Sequence, residues 1–149
     1  MSTGVVVLDA SVAVKAILPN PMQGYCRALV QTFSEVQPVA PALWACETTS
    51  ALAKAVHFGQ LTLEEGHKAL EQLNLLGVRL FVPDTDQNRA TFDWTLRLNR
   101  ATAYDSYYLI LAQSLACDFW TADNRLFNAL KDARLGWLHW IEELKPLNE

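Results

Sequence analysis

The sequence has little of what marks a secreted or membrane-spanning protein. Its three cysteines are widely spaced and include no CxxC pair, so we expect buried, reduced thiols rather than a disulfide framework or a zinc ribbon. No apolar run approaches the roughly 18 to 20 residues of a membrane span. Residues 1–4 carry no positive side chain ahead of the short apolar run at 5–8, which is not the pattern of a signal peptide. These absences predict a cytoplasmic protein with no membrane contact.

An excess of basic residues is also missing. The 149 residues include 12 Lys and Arg against 16 Asp and Glu, a formal charge of −4, and the pI is near 5.3. This balance excludes a generally basic nucleic-acid-binding surface but not a local basic patch. Because 51% of the residues are apolar and only 19% are charged, disorder is excluded as the main state. The length suits one domain with its own core, and we expect residues 1–149 to form it.

Short apolar strands alternate with helices along the chain. The run at residues 5–8 is β-branched and lacks polar alternation, which is typical of a strand covered on both faces. This alternation indicates an α/β fold around a parallel sheet. The predicted strands are residues 5–8, 38–41, 78–82 and 119–121, with a last apolar segment at 135–140, and the predicted helices are 12–18, 21–34, 42–58, 62–77, 86–99, 102–116 and 123–131.

Two aspartates stand where predicted strands end. Asp9 follows the strand at residues 5–8 directly, and Asp123 follows the strand at 119–121 after one residue. Ligands of open parallel sheets bind at the carboxyl ends of the strands, but aspartate is also a favoured N-cap for the helix that follows. For Asp9 alone the two interpretations are equally good. The repeated strand–Asp–helix pattern favours a shared pocket.

Two further acids lie on apolar helix faces. Glu47 lies on a mostly apolar face of the helix predicted at residues 42–58, where a buried carboxylate is costly unless it is paired or bound to a metal. Lys54, two turns further on, is the alternative partner. Asp105 begins a helix that is apolar nearly all round. The helix dipole explains an acid in the first turn, but it does not explain why the surrounding face is so apolar.

Four carboxylates in one pocket need compensating charge, because like charges raise one another's pKa. A hard divalent cation supplies it, and Mg²⁺ or Mn²⁺ prefers oxygen ligands. The three histidines, at positions 57, 67 and 139, are scattered, which argues against zinc. Such a pocket suits phosphodiester hydrolysis, in which a metal activates water and stabilises the leaving oxygen.

Four segments together resemble the PIN-domain nucleases, particularly the VapC-type toxins of bacterial and archaeal toxin–antitoxin pairs. Each segment is weak alone, but they occur in the family's order over most of the chain, and the total length is also similar to the family's. The segments are residues 6–11 around Asp9, Glu47 in the third predicted helix, residues 102–112 around Asp105, and residues 120–127 around Asp123.

The resemblance implies a PIN-like three-layer fold, with a parallel sheet of about five strands and helices on both faces. It implies Mg²⁺- or Mn²⁺-dependent endonucleolytic cleavage of RNA, a homodimer, and inhibition by a cognate antitoxin. Ser106 and Asn124 depart from the family's pattern, the first where a small apolar residue is more usual and the second where some members carry a further acid. The implied metal cluster is Asp9, Glu47, Asp105 and Asp123, with Ser11 and Thr121 as hydroxyl residues that orient carboxylates or water.

Substrate contacts and two other functional classes stay open at this point. Basic residues beside the acidic segments are either phosphate contacts or solvated surface charges, and the nearby aromatic residues either stack on bases or belong to the core. DNA is an alternative substrate. A PIN-like RNA- or protein-binding module without catalysis is one alternative class, and a receiver-type Mg²⁺-binding regulatory domain is the other. The candidate contacts are Lys15, Arg97, Arg100 and Arg125, with Tyr104, Tyr107 and Trp120 as stacking residues.

Overall fold

Five parallel strands form the centre of the computed structural model, which describes residues 4–100 and 102–147. Residues 1–3, on which the expectation of no signal peptide partly rests, lie outside the described residues. All four strand pairings are parallel, which confirms the predicted α/β fold. The strands are β1 (Val5–Leu8), β2 (Gln37–Pro41), β3 (Arg79–Phe81), β4 (Asp118–Thr121) and β5 (Leu138–Trp140).

Helices fill the connections between the strands. The predicted helices are all present, with boundaries shifted by one to three residues, and the last predicted apolar segment ends in β5. Short 3₁₀ turns lie at Thr32–Ser34, Lys131–Ala133 and Ile141–Glu143. The α-helices are α1 (Ala10–Ile17), α2 (Gln23–Gln31), α3 (Leu43–His57), α4 (Leu63–Leu75), α5 (Thr85–Arg97), α6 (Tyr104–Leu115) and α7 (Asn124–Leu130).

The strand order places a crevice between β1 and β4. The order across the sheet is β3-β2-β1-β4-β5, so the chain builds outward from β1 in one direction and then resumes on its other side at β4. Such a reversal is the point at which open parallel sheets bind ligands, outside the carboxyl ends of the strands. Receiver domains have the different order 2-1-3-4-5, and the observed order therefore excludes the receiver alternative.

Right-handed crossovers put helices on both faces of the sheet. Moving from β1 to β3 places α1–α4 on one face, and returning to β4 and β5 places α5–α7 on the other. The packing agrees, because α1 contacts α2, α3 and α4, while α5 packs along α6. These three layers confirm the predicted architecture.

Helix α6 is the central helix that its apolar sequence predicts. Residues 108–112 are all buried, and the ring of Tyr108 stacks on Phe119 of β4 with ring centres 5.6 Å apart. Because α6 leads almost directly into β4, it runs antiparallel to the strands. Its first turn, which carries Asp105, therefore lies at the carboxyl edge of the sheet.

The cysteines follow the expectation only in part. All three are free thiols, but Cys46 is exposed on α3 whereas Cys26 and Cys117 are buried. Expecting three buried thiols was therefore wrong for Cys46, because its position on α3 faces solvent rather than the sheet. Among the described residues, no helix has the length and apolarity to cross a membrane.

Candidate active site

The carboxylate of Asp9 is held by two hydroxyl groups, one from the first turn of α1 and one from the last residue of β4. Ser11 Oγ donates to Asp9 Oδ2 at 2.6 Å, and Thr121 Oγ1 donates to the same oxygen at 2.8 Å. The two hydroxyls in turn accept backbone N–H bonds, Ser11 from Ala122 at 3.1 Å and Thr121 from Asp123 at 3.0 Å. Asp9 therefore makes no side-chain cap to α1. Instead, it ties the end of β1 to the end of β4.

Glu47 reaches the same edge of the sheet from α3. Tyr108 Oη donates to Glu47 Oε1 at 2.6 Å, and Tyr108 itself is fully buried. Lys54, the alternative partner considered from helix spacing, is exposed and is not the group that contacts Glu47. The pairing joins α3 to α6 across the carboxyl edge, and no spacing within α3 could have indicated it.

Asp105 and Asp123 each have one oxygen committed. Arg100 Nη2 lies 2.9 Å from Asp105 Oδ2 and forms a half-buried ion pair. Asp123 Oδ1 accepts the backbone N–H groups of Arg125 and Leu126 at 3.0 and 3.2 Å. Asp123 is thus a true N-cap of α7, and the capping interpretation holds for one of its two oxygens.

The four acids feel one another's charge. Burial, with smaller contributions from the charges of Glu47 and Asp105, raises the pKa of Asp9 to about 6 in spite of its two hydroxyl donors. Burial also raises the pKa of Glu47, with Asp105 and Asp123 adding to the effect. The pKa of Asp105 is raised by burial as well, although Arg100 opposes the shift. The structure thus brings all four predicted acids into one electrostatically coupled group.

The same acids do not form a closed cage. Within residues 4–100 and 102–147, no three His, Cys, Asp or Glu side chains converge closely enough to hold a metal ion as they stand. Asp105 is instead paired with Arg100.

The donor set nevertheless fits a hard divalent cation. Each acid uses one oxygen in the bonds above, and in the described part of the chain the second oxygen accepts no hydrogen bond from the protein. Four carboxylates with free oxygens and no nitrogen or sulfur donor suit Mg²⁺ or Mn²⁺ rather than zinc. The free oxygens are Asp9 Oδ1, Glu47 Oε2, Asp105 Oδ1 and Asp123 Oδ2.

Some of the basic residues predicted to contact substrate interact with the protein itself, and others are exposed to solvent. Lys15 Nζ donates to the carbonyl of Ala122 at 2.8 Å, which braces the loop before Asp123. The Arg97 guanidinium lies over Trp94, 5.9 Å from the ring centre. Arg125 is exposed in the first turn of α7. Lys15 is thus committed to the loop, while Arg125 is available to a ligand.

The aromatic residues divide in the same way. Trp120 stacks on His139, with ring centres 4.7 Å apart, and Tyr107 Oη donates to Asn88 at 2.8 Å. Tyr104 is 61% exposed and precedes Asp105 directly. Tyr104 is therefore the candidate that remains free to stack on a base beside the acids.

The fold is that of the VapC-type PIN-domain toxins. The chain is similar to VapC20 from Mycobacterium tuberculosis, a sarcin–ricin loop cleaving toxin, with a TM-score of 0.62 and 12% identity over 83% of this chain and 94% of that one. It is similar to PAE2754 from Pyrobaculum aerophilum, with a TM-score of 0.69 and 16% identity over 96% of this chain and 94% of that one. It is also similar to FitAB bound to an IR36 DNA fragment, with a TM-score of 0.64 and 16% identity over 94% of this chain and 97% of that one. No protein-family model and no curated protein matches the chain. At these identities the likeness shows the fold, and it confirms the fold that the four segments predict.

Asp9→Asn should stabilise the metal-free protein at neutral pH. The folded protein holds the Asp9 proton more tightly than the unfolded chain, with a pKa of about 6 against 3.8. The contribution of Asp9 to wild-type stability is therefore greatest below pH 4 and is lost as the pH rises through 6, so that ionised Asp9 costs up to about 3 kcal/mol at pH 7. Asparagine keeps an acceptor for Ser11 and Thr121 but carries no charge. In EDTA, urea titrations should show a stability gain for Asp9→Asn that grows from pH 4 to pH 7. An equal effect at both pH values would contradict the buried charge.

Tyr108→Phe should destabilise the fold more than Tyr107→Phe, the same substitution at the neighbouring residue. It removes a buried donor to the Glu47 carboxylate, and a hydrogen bond to a charged group contributes about 2 kcal/mol. The matched control is Tyr107→Phe, which removes the same hydroxyl from an exposed bond to Asn88 and should cost less than about 0.5 kcal/mol. Urea denaturation of both variants at pH 7 measures the difference. Equal losses would show that the Tyr108–Glu47 bond is not a stabilising contact.

Proposed function

We propose that the chain is a metal-dependent endoribonuclease, the toxin component of a toxin–antitoxin pair. The observation that carries the proposal is the group of four coupled carboxylates at the β1/β4 crevice, each with one oxygen held by the protein and one free. The likeness of the fold to VapC20, which cleaves the sarcin–ricin loop, supports the toxin class. The intact acid set favours catalysis over a binding module that has lost it.

The protein's own groups prepare the carboxylates as ligands. In this proposal Asp9, Glu47, Asp105 and Asp123 hold Mg²⁺ or Mn²⁺. When bound, the ion would activate a water molecule and stabilise the leaving oxygen of a phosphodiester. Ser11 and Thr121 fix the orientation of Asp9 through its Oδ2, and its Oδ1 accepts no hydrogen bond from the described residues. Because the pKa of Asp9 is about 6, this residue is mostly ionised at pH 7 and ready to bind a cation.

RNA is the proposed substrate, held beside the acids by exposed groups. Arg125 supplies a charge for phosphate on the α7 side of the crevice, and Tyr104 supplies a ring for base stacking on the α6 side. Both side chains are exposed, and each is close in sequence to one of the acids, Tyr104 directly before Asp105 and Arg125 two residues after Asp123. Contacts of this kind suit a single strand, whose phosphates and bases are both accessible.

Substitution of two acids tests the nuclease proposal. Wild type, Asp9→Asn and Asp105→Asn are incubated with a mixed RNA pool and, separately, with single-stranded DNA, in Mg²⁺, Mn²⁺ or EDTA. We expect cation-dependent RNA cleavage by wild type, and losses of at least about 100-fold in both variants, because even residues behind metal ligands cost 10- to 100-fold. Gel analysis of the fragments measures the rate.

An isosteric substitution away from the crevice is the control. Asp86→Asn changes an exposed acid in the first turn of α5 and should cleave like wild type. Cleavage that survives both Asp9→Asn and Asp105→Asn would contradict the proposal. Cation-dependent cleavage that is faster on DNA than on RNA would support the metal-dependent mechanism but contradict RNA as the substrate.

We also propose a homodimer whose activity a cognate antitoxin blocks. For a toxin of this kind the partner is expected to be a small protein encoded directly upstream. Induction of the wild-type chain alone should arrest growth, and co-expression of that protein should restore growth and yield a co-purifying complex. Asp9→Asn should permit growth alone yet co-purify equally well. Normal growth with the wild-type chain alone would contradict the toxin assignment, and light scattering of the purified chain tests the dimer.

A further inference from the structure

Arg100 is placed beside the acids by the end of α5. Asn99 adopts a left-handed conformation with φ of 54°, and its N–H donates to the carbonyl of Leu96 at 3.1 Å. The N–H of Arg100 donates to the carbonyl of Thr95 at 3.0 Å. These two bonds form the Schellman motif, which sets the direction in which the chain leaves a helix, and asparagine tolerates the required backbone. Arg100 is therefore directed by a defined helix end.

A second contact fixes Arg100 relative to Asp105. Thr95 Oγ1 donates to Ser106 Oγ at 2.9 Å, and both side chains are buried. Ser106 follows Asp105 directly, so this bond locks the end of α5 to the first turn of α6. Ser106 departs from the small apolar residue of the family pattern, and this bond is what the hydroxyl does here. The ion pair between Arg100 and Asp105 is thus positioned from both sides.

The guanidinium of Arg100 is incompletely used in this arrangement. Its Nη2 pairs with Asp105, but its Nε is buried and has no hydrogen-bond partner among the described residues. A guanidinium has five N–H donors in a planar fork that matches the oxygens of a phosphate. A buried donor without a partner costs about 1–3 kcal/mol, so a second arrangement that satisfies Nε would be favoured if an acceptor were supplied.

We propose that Arg100 is the internal counter-cation of the acidic group, a positioning residue that holds Asp105 while no divalent cation is bound. In the presence of a cation and RNA, Asp105 becomes a cation ligand and Arg100 pairs with an RNA phosphate instead. This inference rests on the proposed metal-dependent nuclease. The charges of Arg100 and Asp105 are then paired in both states, with each other before binding and with an RNA phosphate and the cation after it. Because the cation and Arg100 compete for Asp105, while RNA removes Arg100 from it, RNA and cation should strengthen each other's binding.

Cation affinity without RNA tests the competition. Isothermal titration calorimetry measures Mn²⁺ binding to wild type and to Arg100→Gln. The variant should bind Mn²⁺ about tenfold more tightly, the lower end of the effect that an adjacent opposite charge has on a carboxylate. Arg100→Lys keeps the charge without the planar fork and should lie between the two. Thermal melts confirm that each variant is folded.

An exposed arginine on α5, the helix that precedes Arg100, is the matched control. Arg89→Gln makes the same charge change on α5 at an exposed position, about three turns before Arg100, and should alter Mn²⁺ affinity by less than about twofold. If Arg100→Gln binds Mn²⁺ only as tightly as Arg89→Gln, or less tightly than wild type, the inference is overturned. No Mn²⁺ binding by either wild type or Arg100→Gln would instead contradict the proposed metal site.

RNA binding provides the second readout. Fluorescence anisotropy measures the affinity for single-stranded RNA in EDTA and in Ca²⁺, which replaces the catalytic cation. Wild type should bind RNA more tightly in Ca²⁺ than in EDTA, because Arg100 contacts an RNA phosphate only after the cation has released it from Asp105. Arg100→Gln lacks this contact and should lose most of the gain in RNA affinity. Arg89→Gln should keep the gain. If Ca²⁺ raises the RNA affinity of Arg100→Gln as much as that of wild type, Arg100 does not move from Asp105 to an RNA phosphate.

Discussion

The burial of one carboxylate, that of Asp9, is the constraint on which the rest of the site depends. It is 6% exposed at the end of the central strand β1, where a lone charge would be prohibitively costly. Ser11 and Thr121 satisfy one of its oxygens, and both hydroxyls are themselves fixed by backbone N–H groups of the β4–α7 turn. The start of α1 and the end of β4, which lie on either side of the crevice, are therefore held together by the carboxylate that they position.

The remaining acids are each held by a separate tertiary contact. A buried tyrosine holds Glu47, an arginine from the end of α5 holds Asp105, and the α7 backbone holds Asp123. In every case one oxygen is committed, and the other accepts no hydrogen bond from the described residues. The apolar character of α6 allows this, because residues 108–112 anchor the helix in the core while its first turn projects at the sheet edge.

The sequence predicted much of the fold, because strand and helix patterns are local. The run at 5–8 became β1 without change, and the helix predicted at 62–77 is α4, which begins with a capping box between Thr62 and Glu65. Strand order is not local, and the observed order separates this fold from that of a receiver domain. Lys54 was considered as a partner of Glu47 because helix spacing can reveal only intrahelical neighbours. The number and spacing of the cysteines predicted buried thiols, but they do not tell which face of α3 points outward, and Cys46 lies on that face.

The sequence by itself determined the acids, their order along the chain and their positions at the ends of strands or on apolar helix faces. Those positions follow from hydrophobic periodicity and the placement of turns. Only the tertiary structure decided which side chains share a crevice and what holds each of them. The Ser11–Asp9–Thr121 bridge, the Tyr108–Glu47 bond and the Arg100–Asp105 pair depend on how β1, β4, α3, α5 and α6 meet at one edge. Burial likewise sets the charge of Asp9, because a raised pKa is a property of the folded surroundings rather than of the residue.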